Sequence, residues 1–348
     1  MRPTSDSARP ARSAGRHGLL ALVLLALAWA FVMQALGWAQ TSYYALVKSL
    51  SDGTASIDRY HWETRDKAWT GERFHSVKAP GLPFMVLPLY EGLTALGAPE
   101  ASRDVARAAR RSGESRWAYS GLLTHAYGYD PVRARSVRKE VEGEAPIVWA
   151  LGLLGSVLPA FLLLLAVRTV VERVSPGTGT AVAVMLGAGT LVMVFASQLF
   201  GHMLSALLAF AAFALLWRER DGRQRLTWVL AAGLLSGLAV TTEYPLAIAG
   251  AIVGCYAISR RGPIARGCAY SAGVALGVAP LLLYNRWTYG DATHLSYADA
   301  VEQQGFTGHW TLGLNDGGFF GVGLPRPDVA LELLVSSRGL LVLSPVLV

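Results

Sequence analysis

Gly81-Leu82-Pro83-Phe84-Met85-Val86-Leu87-Pro88-Leu89-Tyr90-Glu91-Gly92-Leu93-Thr94-Ala95-Leu96-Gly97 is the stretch whose reading sets the topology of everything after it. It is apolar, but it is short for a span and carries Glu91 and two prolines, Pro83 and Pro88. Either it crosses a membrane or it lies along the surface of one, and each choice inverts every later loop relative to the other. If residues 81–97 lie at the interface, the loops on the amino-terminal side are the tail, 168–178, 218–225 and 259–266, with 4, 2, 4 and 3 arginines. The turns around His202 and Glu243 then fall on the other side and contain no Lys or Arg. Basic loops stay in the cytoplasm, so the interfacial reading is the one that fits.

The rest of the chain supplies the membrane. It has 348 residues, is 53% hydrophobic and only 16% charged, and its apolar residues come in long blocks. After a basic tail over 1–17, the block 18–39 is long enough to cross a hydrocarbon core of about 30 Å. Further blocks at 146–167, 181–200, 203–217, 226–241, 245–258 and 269–284 predict a six-helix region over 146–284. The break Ser197-Gln198-Leu199-Phe200-Gly201-His202 and the turn Thr241-Thr242-Glu243-Tyr244-Pro245 separate neighbouring helices. Residues 40–145 and 285–338 become two extracytoplasmic loops. The last block, 339–348, covers about half the length needed to cross, so the chain is expected to be C-terminally incomplete. The expected fold class is an all-α polytopic membrane protein, multi-pass in the cell membrane, with its amino terminus in the cytoplasm.

The polar chemistry gathers directly before the deciding stretch. Ile57-Asp58-Arg59-Tyr60-His61-Trp62-Glu63-Thr64-Arg65-Asp66-Lys67 and Ser76-Val77-Lys78-Ala79-Pro80 pack acids, bases and aromatics into one outer segment. Asp58, Glu63 and Asp66 are candidate general bases, and Lys78, Arg59 and Arg65 are candidate partners for a phosphate. Each has a plainer alternative, a solvated ion pair for the acids and headgroup snorkelling for Lys78. Asp58 is preferred over Asp66 as the base, because Ile57 and Tyr60 can pin its segment whereas Arg65 and Lys67 flank Asp66. A second candidate group, His202 with Glu243 and Tyr244, sits at the outer turns.

Other features carry less. The net charge of +7 lies in loops beside apolar blocks, which argues against nucleic acid as a partner. Cys255 and Cys268 have no disulfide or metal spacing and read as buried thiols. Gly233/Gly237 and Gly273/Gly277 have small-xxx-small spacing and read as helix packing. No residue cluster calls for a cofactor, and a divalent cation is left open, because no set of ligands has diagnostic spacing.

The order of a first span, an acidic outer loop, the Phe74-to-Pro80 stretch with Lys78 and Pro80, an interfacial helix, and paired spans with polar turns at His202 and Thr242 to Pro245 resembles the integral-membrane glycosyltransferases of the GT-C superfamily. It looks most like the bacterial relatives of protein O-mannosyltransferases and lipid A aminoarabinose transferases. The resemblance covers most of residues 18–348. It implies an enzyme with a GT-C-like helical bundle that moves a hexose or pentose from a polyprenyl-phosphate donor to an extracytoplasmic acceptor, which is protein, lipid or cell-envelope glycan. It also implies an outer-loop Asp as base and Lys78 at the donor phosphate. Two places depart from the family pattern. Ala39-Gln40-Thr41-Ser42 lacks the acidic pair found after the first span, and the acid of the second outer turn is replaced by His202. A multi-pass transporter or lipid flippase is the competing class, but such proteins place ionisable residues at mid-depth, and the blocks from 146 to 284 hold almost none.

The arginine distribution generates a direct test. A cysteine placed at Ser112 is expected to react with an impermeant thiol reagent from outside the cell, and one at Gln224 is not; labelling at Gln224 alone would reverse the topology.

Overall fold

The computed structural model describes residues 9–32, 36–112, 131–222, 224–301, 326–337 and 339–344. Helix α1 (Arg9–Phe31) opens the chain but stops well short of Ala39. The backbone restarts at Gly37, which is extended, and the Gln40 side chain accepts the Gly37 N–H at 2.7 Å. That local cap begins a new helix, α2 (Trp38–Ser51). The expected single span over 18–39 is therefore corrected to a shorter helix followed by a break. What was expected to be loop after Gln40 is a helix buried along residues 40–49.

A small sheet follows. Strand β1 (Lys67–Trp69) lies between β2 (Phe74–Ser76) and β3 (Ala300–Val301), antiparallel to both. It was not anticipated, and it stitches the segment after residue 289 onto residues 67–76. Among the described residues the protein is thus helical with one small sheet. Next come α3 (Gly81–Ala95) and α4 (Ala98–Arg111), bent 79° from one another.

The continuous helical stretch Gly143–Val174 runs through α5 (Pro131–Gly152), a π-turn at Leu153–Val157 and α6 (Leu158–Val174). Inside the π-turn, a Cβ at Gly155 would collide with Leu82 and crowd Val86, so glycine lets α3 lie directly on this helix. The remaining bundle is α7 (Gly179–Ala188), α8 (Val192–Ala196), α9 (His202–Arg220), α10 (Leu226–Thr242), α11 (Leu246–Ile258) and α12 (Pro263–Tyr289). Block 181–200 is not one helix, because the chain also turns at Gly189-Thr190-Leu191. Two short helices, α13 (Pro327–Val335) and α14 (Leu340–Leu343), follow. Among the described residues three helices, Gly143–Val174, α9 and α12, are long and apolar enough to cross a membrane, and α3 with α4 makes up to four. Several long apolar helices of this kind fit a multi-pass membrane protein.

The helix ends sort by charge. The Arg173 guanidinium lies over the Trp217 ring (5.9 Å), Arg220 over Tyr256 (3.8 Å), and Arg266 grips both carboxylate oxygens of buried Glu219 (2.9 and 3.0 Å). Loops 168–178, 218–225 and 259–266 therefore gather at one end of the bundle. The turns at residues 197–201 and 242–245 gather at the other, where a Cβ on Gly81 would strike Thr241 and Thr242 and one on Gly201 would strike Glu243. Cys255 and Cys268 are exposed on helix surfaces, a correction to the buried-thiol expectation, since an apolar helix that faces lipid hides nothing within its own bundle.

Helices α10 and α12 touch backbone to backbone. Gly233 lies on the Tyr270 carbonyl, Gly237 on Val274 and Gly277, Gly273 on Leu230, and Gly277 on Leu234. The two small-xxx-small pairs thus face each other across one seam, which is how helices approach closely without a hydrophobic drive between them. Gly→Ala on an open helix face stabilises by about 1 kcal/mol. At Gly237 the added methyl meets main-chain atoms that cannot rotate away, so Gly237→Ala is expected to destabilise by about 1–3 kcal/mol. A rise in Tm for that variant would contradict the seam.

Candidate functional site

Several of the expected site residues turn out to hold residues 38–80 together and tie them to α5. Lys48 of α2 is buried, and its ammonium bonds both oxygens of Glu63 (2.7 and 2.6 Å) and Glu144 of α5 (3.0 Å), beneath the Tyr44 and Tyr60 rings. Burial works against this charge, but the two carboxylates outweigh it and hold the ammonium above its usual range. Glu63, a candidate base, is thereby engaged in a buried ion cluster. Asp58 accepts the Phe74 N–H at 2.7 Å and stands 3.9 Å from Arg73, so it caps the start of β2. Arg59 reaches out to Asp52 at 3.4 Å with 77% of its side chain exposed, and the Arg65 guanidinium lies over the Trp38 indole at 4.4 Å.

The Lys78 ammonium pairs with Asp66 at 2.5 Å, and both side chains are about four-fifths covered. The pairing has a local cause. Ser42 of α2 donates to the Asp66 carbonyl (2.6 Å) and shares a bond with Ser76 (2.8 Å), while the Lys78 N–H donates to Ser76 Oγ (3.1 Å). One pair of serines thus positions both charged residues. On the far side the Ser296 hydroxyl donates to the Val77 carbonyl (2.8 Å), and Gly81 is seated on the end of α10.

The second group does come together. Glu243 Oε1 accepts the Tyr43 hydroxyl at 2.6 Å and lies 3.1 Å from His202 Nδ1. His202 is packed edge-on to Phe195 (4.5 Å) and tilted against Phe200 (5.4 Å). Tyr244 is held edge-on to Tyr297 (5.2 Å) with its hydroxyl at 3.5 Å from Ser296. Burial pushes the Tyr244 hydroxyl up to about 12, with Glu243 adding to it and Ser296 opposing. The Tyr297 hydroxyl is pushed up by burial first, then by the fields of Glu243, Tyr244 and Asp66. The Asp66–Lys78 pair and the Glu243–His202 group are linked through Ser296, which bonds the Val77 carbonyl beside Lys78 and lies 3.5 Å from the Tyr244 hydroxyl beside Glu243; side chains of these types can serve as acid, base and hydrogen-bond donor.

The Ser42 hydroxyl holds the Asp66 backbone, and His202 has Glu243 beside it. Tyr43, Tyr297, Ser42 and Ser296 were not among the candidates. Tyr43 and Ser42 had no visible signal, since α2 itself was unforeseen. Among the described residues no group of three His, Cys, Asp or Glu side chains is gathered closely enough to hold a metal ion. Comparison with known families, with curated proteins and with solved structures yields no match.

Lys67 of β1 is 1% exposed, donates to the His61 carbonyl (2.8 Å), and lies over the Phe74 ring (4.8 Å). Burial, then Arg65, lowers its pKa from 10.5 to about 7. Its ammonium is thus disfavoured by folding. The cost is fully present below about pH 7 and fades as pH rises to about 10.5, where the unfolded chain also loses the proton. Lys67→Met is expected to raise Tm at neutral pH and to remove a gain in stability between those two pH values, a gain of about 1.4 kcal/mol for each pH unit crossed. Parallel pH profiles for the two proteins would refute the assignment.

Proposed function

We propose that this chain is a membrane glycosyltransferase that moves a sugar from a polyprenyl-phosphate donor to an extracytoplasmic acceptor. The observation that carries the reading is the partly covered Asp66–Lys78 pair, joined through Ser296 to the turn that holds Tyr244 and Glu243, at the end of the bundle opposite the arginine-rich loops. A phosphodiester that joins a sugar to a long lipid tail sits at a membrane edge, and a partly covered cation there is its natural partner.

In this reading the donor phosphate draws the Lys78 ammonium away from Asp66. The released carboxylate takes the proton of the acceptor hydroxyl as its oxygen bonds the anomeric carbon. The bond from that carbon to the phosphate oxygen breaks, and the electron pair leaves on polyprenyl phosphate beside Lys78. Negative charge grows on the leaving oxygen in the transition state, which a fixed ammonium stabilises. Asp66 takes the base role in place of Asp58, whose carboxylate is bonded to the β2 backbone. Glu243, fixed by Tyr43, orients His202 toward the same volume.

The natural protein in vesicles that contain a polyprenyl-phosphate sugar tests this. Asp66→Asn is expected to lower transfer by about 10²- to 10⁴-fold with donor binding retained, whereas Lys78→Ala weakens both, because the phosphate is charged before and after transfer. Asp58→Asn should keep turnover per folded molecule. Release of polyprenyl phosphate separates this reading from a transporter, which leaves its cargo intact, and near-normal transfer by Asp66→Asn would end it.

A further inference from the structure

A second cavity, of about 500 Å³, opens between the β1–β2 turn (residues 70–75) and the segment after α12 (residues 288–299). None of the residues assigned a role in sugar transfer above lines it. Its volume is within the usual range for a small-ligand site. Three features describe what it accepts. The first is a paired imidazole: His294 Nε2 lies 2.6 Å from Asp299 Oδ2, and a ring fixed in this way by a carboxylate presents its other nitrogen as a hydrogen-bonding group. The second is an aromatic wall, with Tyr289 packed against His294 (4.4 Å) and His75 (5.0 Å).

The third is an unmatched buried acceptor. His75 is 2% exposed, and its Nδ1 has no hydrogen-bond partner among the described residues. Burial lowers its pKa, with the Ala55 carbonyl as the counterweight, so the ring is neutral. A buried acceptor without a donor is costly, and a ligand hydroxyl relieves it.

Charge narrows the ligand further. Glu72 and Asp299 line the cavity along with Arg73, so there is no cationic excess to hold a phosphate. The fitting ligand is neutral, rich in hydroxyls that both donate and accept, and has an apolar face to lie on an aromatic ring. We propose that this cavity binds a neutral carbohydrate, which is the acceptor of the transfer reaction. The word acceptor rests on the transferase reading; the carbohydrate rests on the cavity alone. The two sites adjoin through Ser296, which follows His294 by two residues, donates to the Val77 carbonyl beside Lys78 and lies 3.5 Å from the Tyr244 hydroxyl. An acceptor seated in the cavity approaches the Asp66 cluster past Tyr289 and Ser296.

The experiment is saturation-transfer NMR on the natural protein in lipid nanodiscs free of sugar-headed detergent, with the methyl α- and β-hexosides of glucose, galactose and mannose as probes. At least one hexoside should give a saturable signal that His294→Ala weakens by about tenfold, the scale of a lost hydrogen bond. Thr70→Trp fills the cavity from its exposed rim and should abolish the signal even if His294→Ala folds poorly, while Asp66→Asn should leave it unchanged. No saturable signal from any hexoside, or a signal indifferent to Thr70→Trp, overturns the site. Hexoside binding without any cleavage of the lipid-linked donor keeps the carbohydrate site and removes its acceptor role. Donor cleavage without hexoside binding keeps the transferase and overturns the cavity's part in it.

Discussion

The end of the bundle that holds the small sheet depends on one buried cation. Lys48 is the only charged residue in α2, and folding takes it out of water between Glu63 and Glu144. An unpaired ammonium there would be prohibitive, and breaking such a cluster typically costs about 3–5 kcal/mol. The ion cluster therefore obliges three separated stretches, α2, the turn at 61–63 and α5, to close on one point. Hydrophobic burial alone would tolerate small slips among them; a two-carboxylate grip on one nitrogen does not.

Once α2 is held, the serines on it become placed. Ser42 reaches the Asp66 backbone and Ser76, and from Ser76 the chain passes to Lys78 and on to Gly81 against α10. Short links to rigid elements thus carry the cluster: Asp66 directly precedes β1, Lys78 follows β2 by two residues, Glu243 ends α10, His202 starts α9 and Tyr43 lies on α2. Sites built this way hold geometry better than sites on long loops. The tyrosines add a second constraint, since burial keeps their hydroxyls neutral and able to donate to carboxylates that would otherwise sit in apolar surroundings.

Most of the bundle was legible in the sequence. Apolar blocks marked the helices of the 146–284 region, Gly-x-x-x-Gly spacing marked the α10–α12 seam, and arginine placement foretold which helix ends lie together. Those are local or compositional signals, and they survive folding because the lipid-like environment they answer to is the same along the whole helix. The break after Phe31 was not legible, because Gly37 and Gln40 make a cap only when the chain is already turning there. The sheet was missed for a similar reason: β3 has two residues, too few for alternation to register.

For the site, the sequence by itself determined the cast: a polar segment with Asp58, Glu63, Asp66 and Lys78 before residue 81, and His202 with Glu243 at apolar turns. Only the tertiary structure decided the pairing. Spacing along the chain made Asp58 as good a partner for Lys78 as Asp66, and the choice fell to Ser42 and Ser76, which belong to different elements. It likewise withdrew Glu63 into an ion cluster with a helix absent from the sequence pattern, and brought Ser296 and Tyr297 from beyond α12 against Val77 and Tyr244. Local sequence carries the chemistry of a side chain, but its partner is set by long-range contacts, which leave no periodic mark on a single chain.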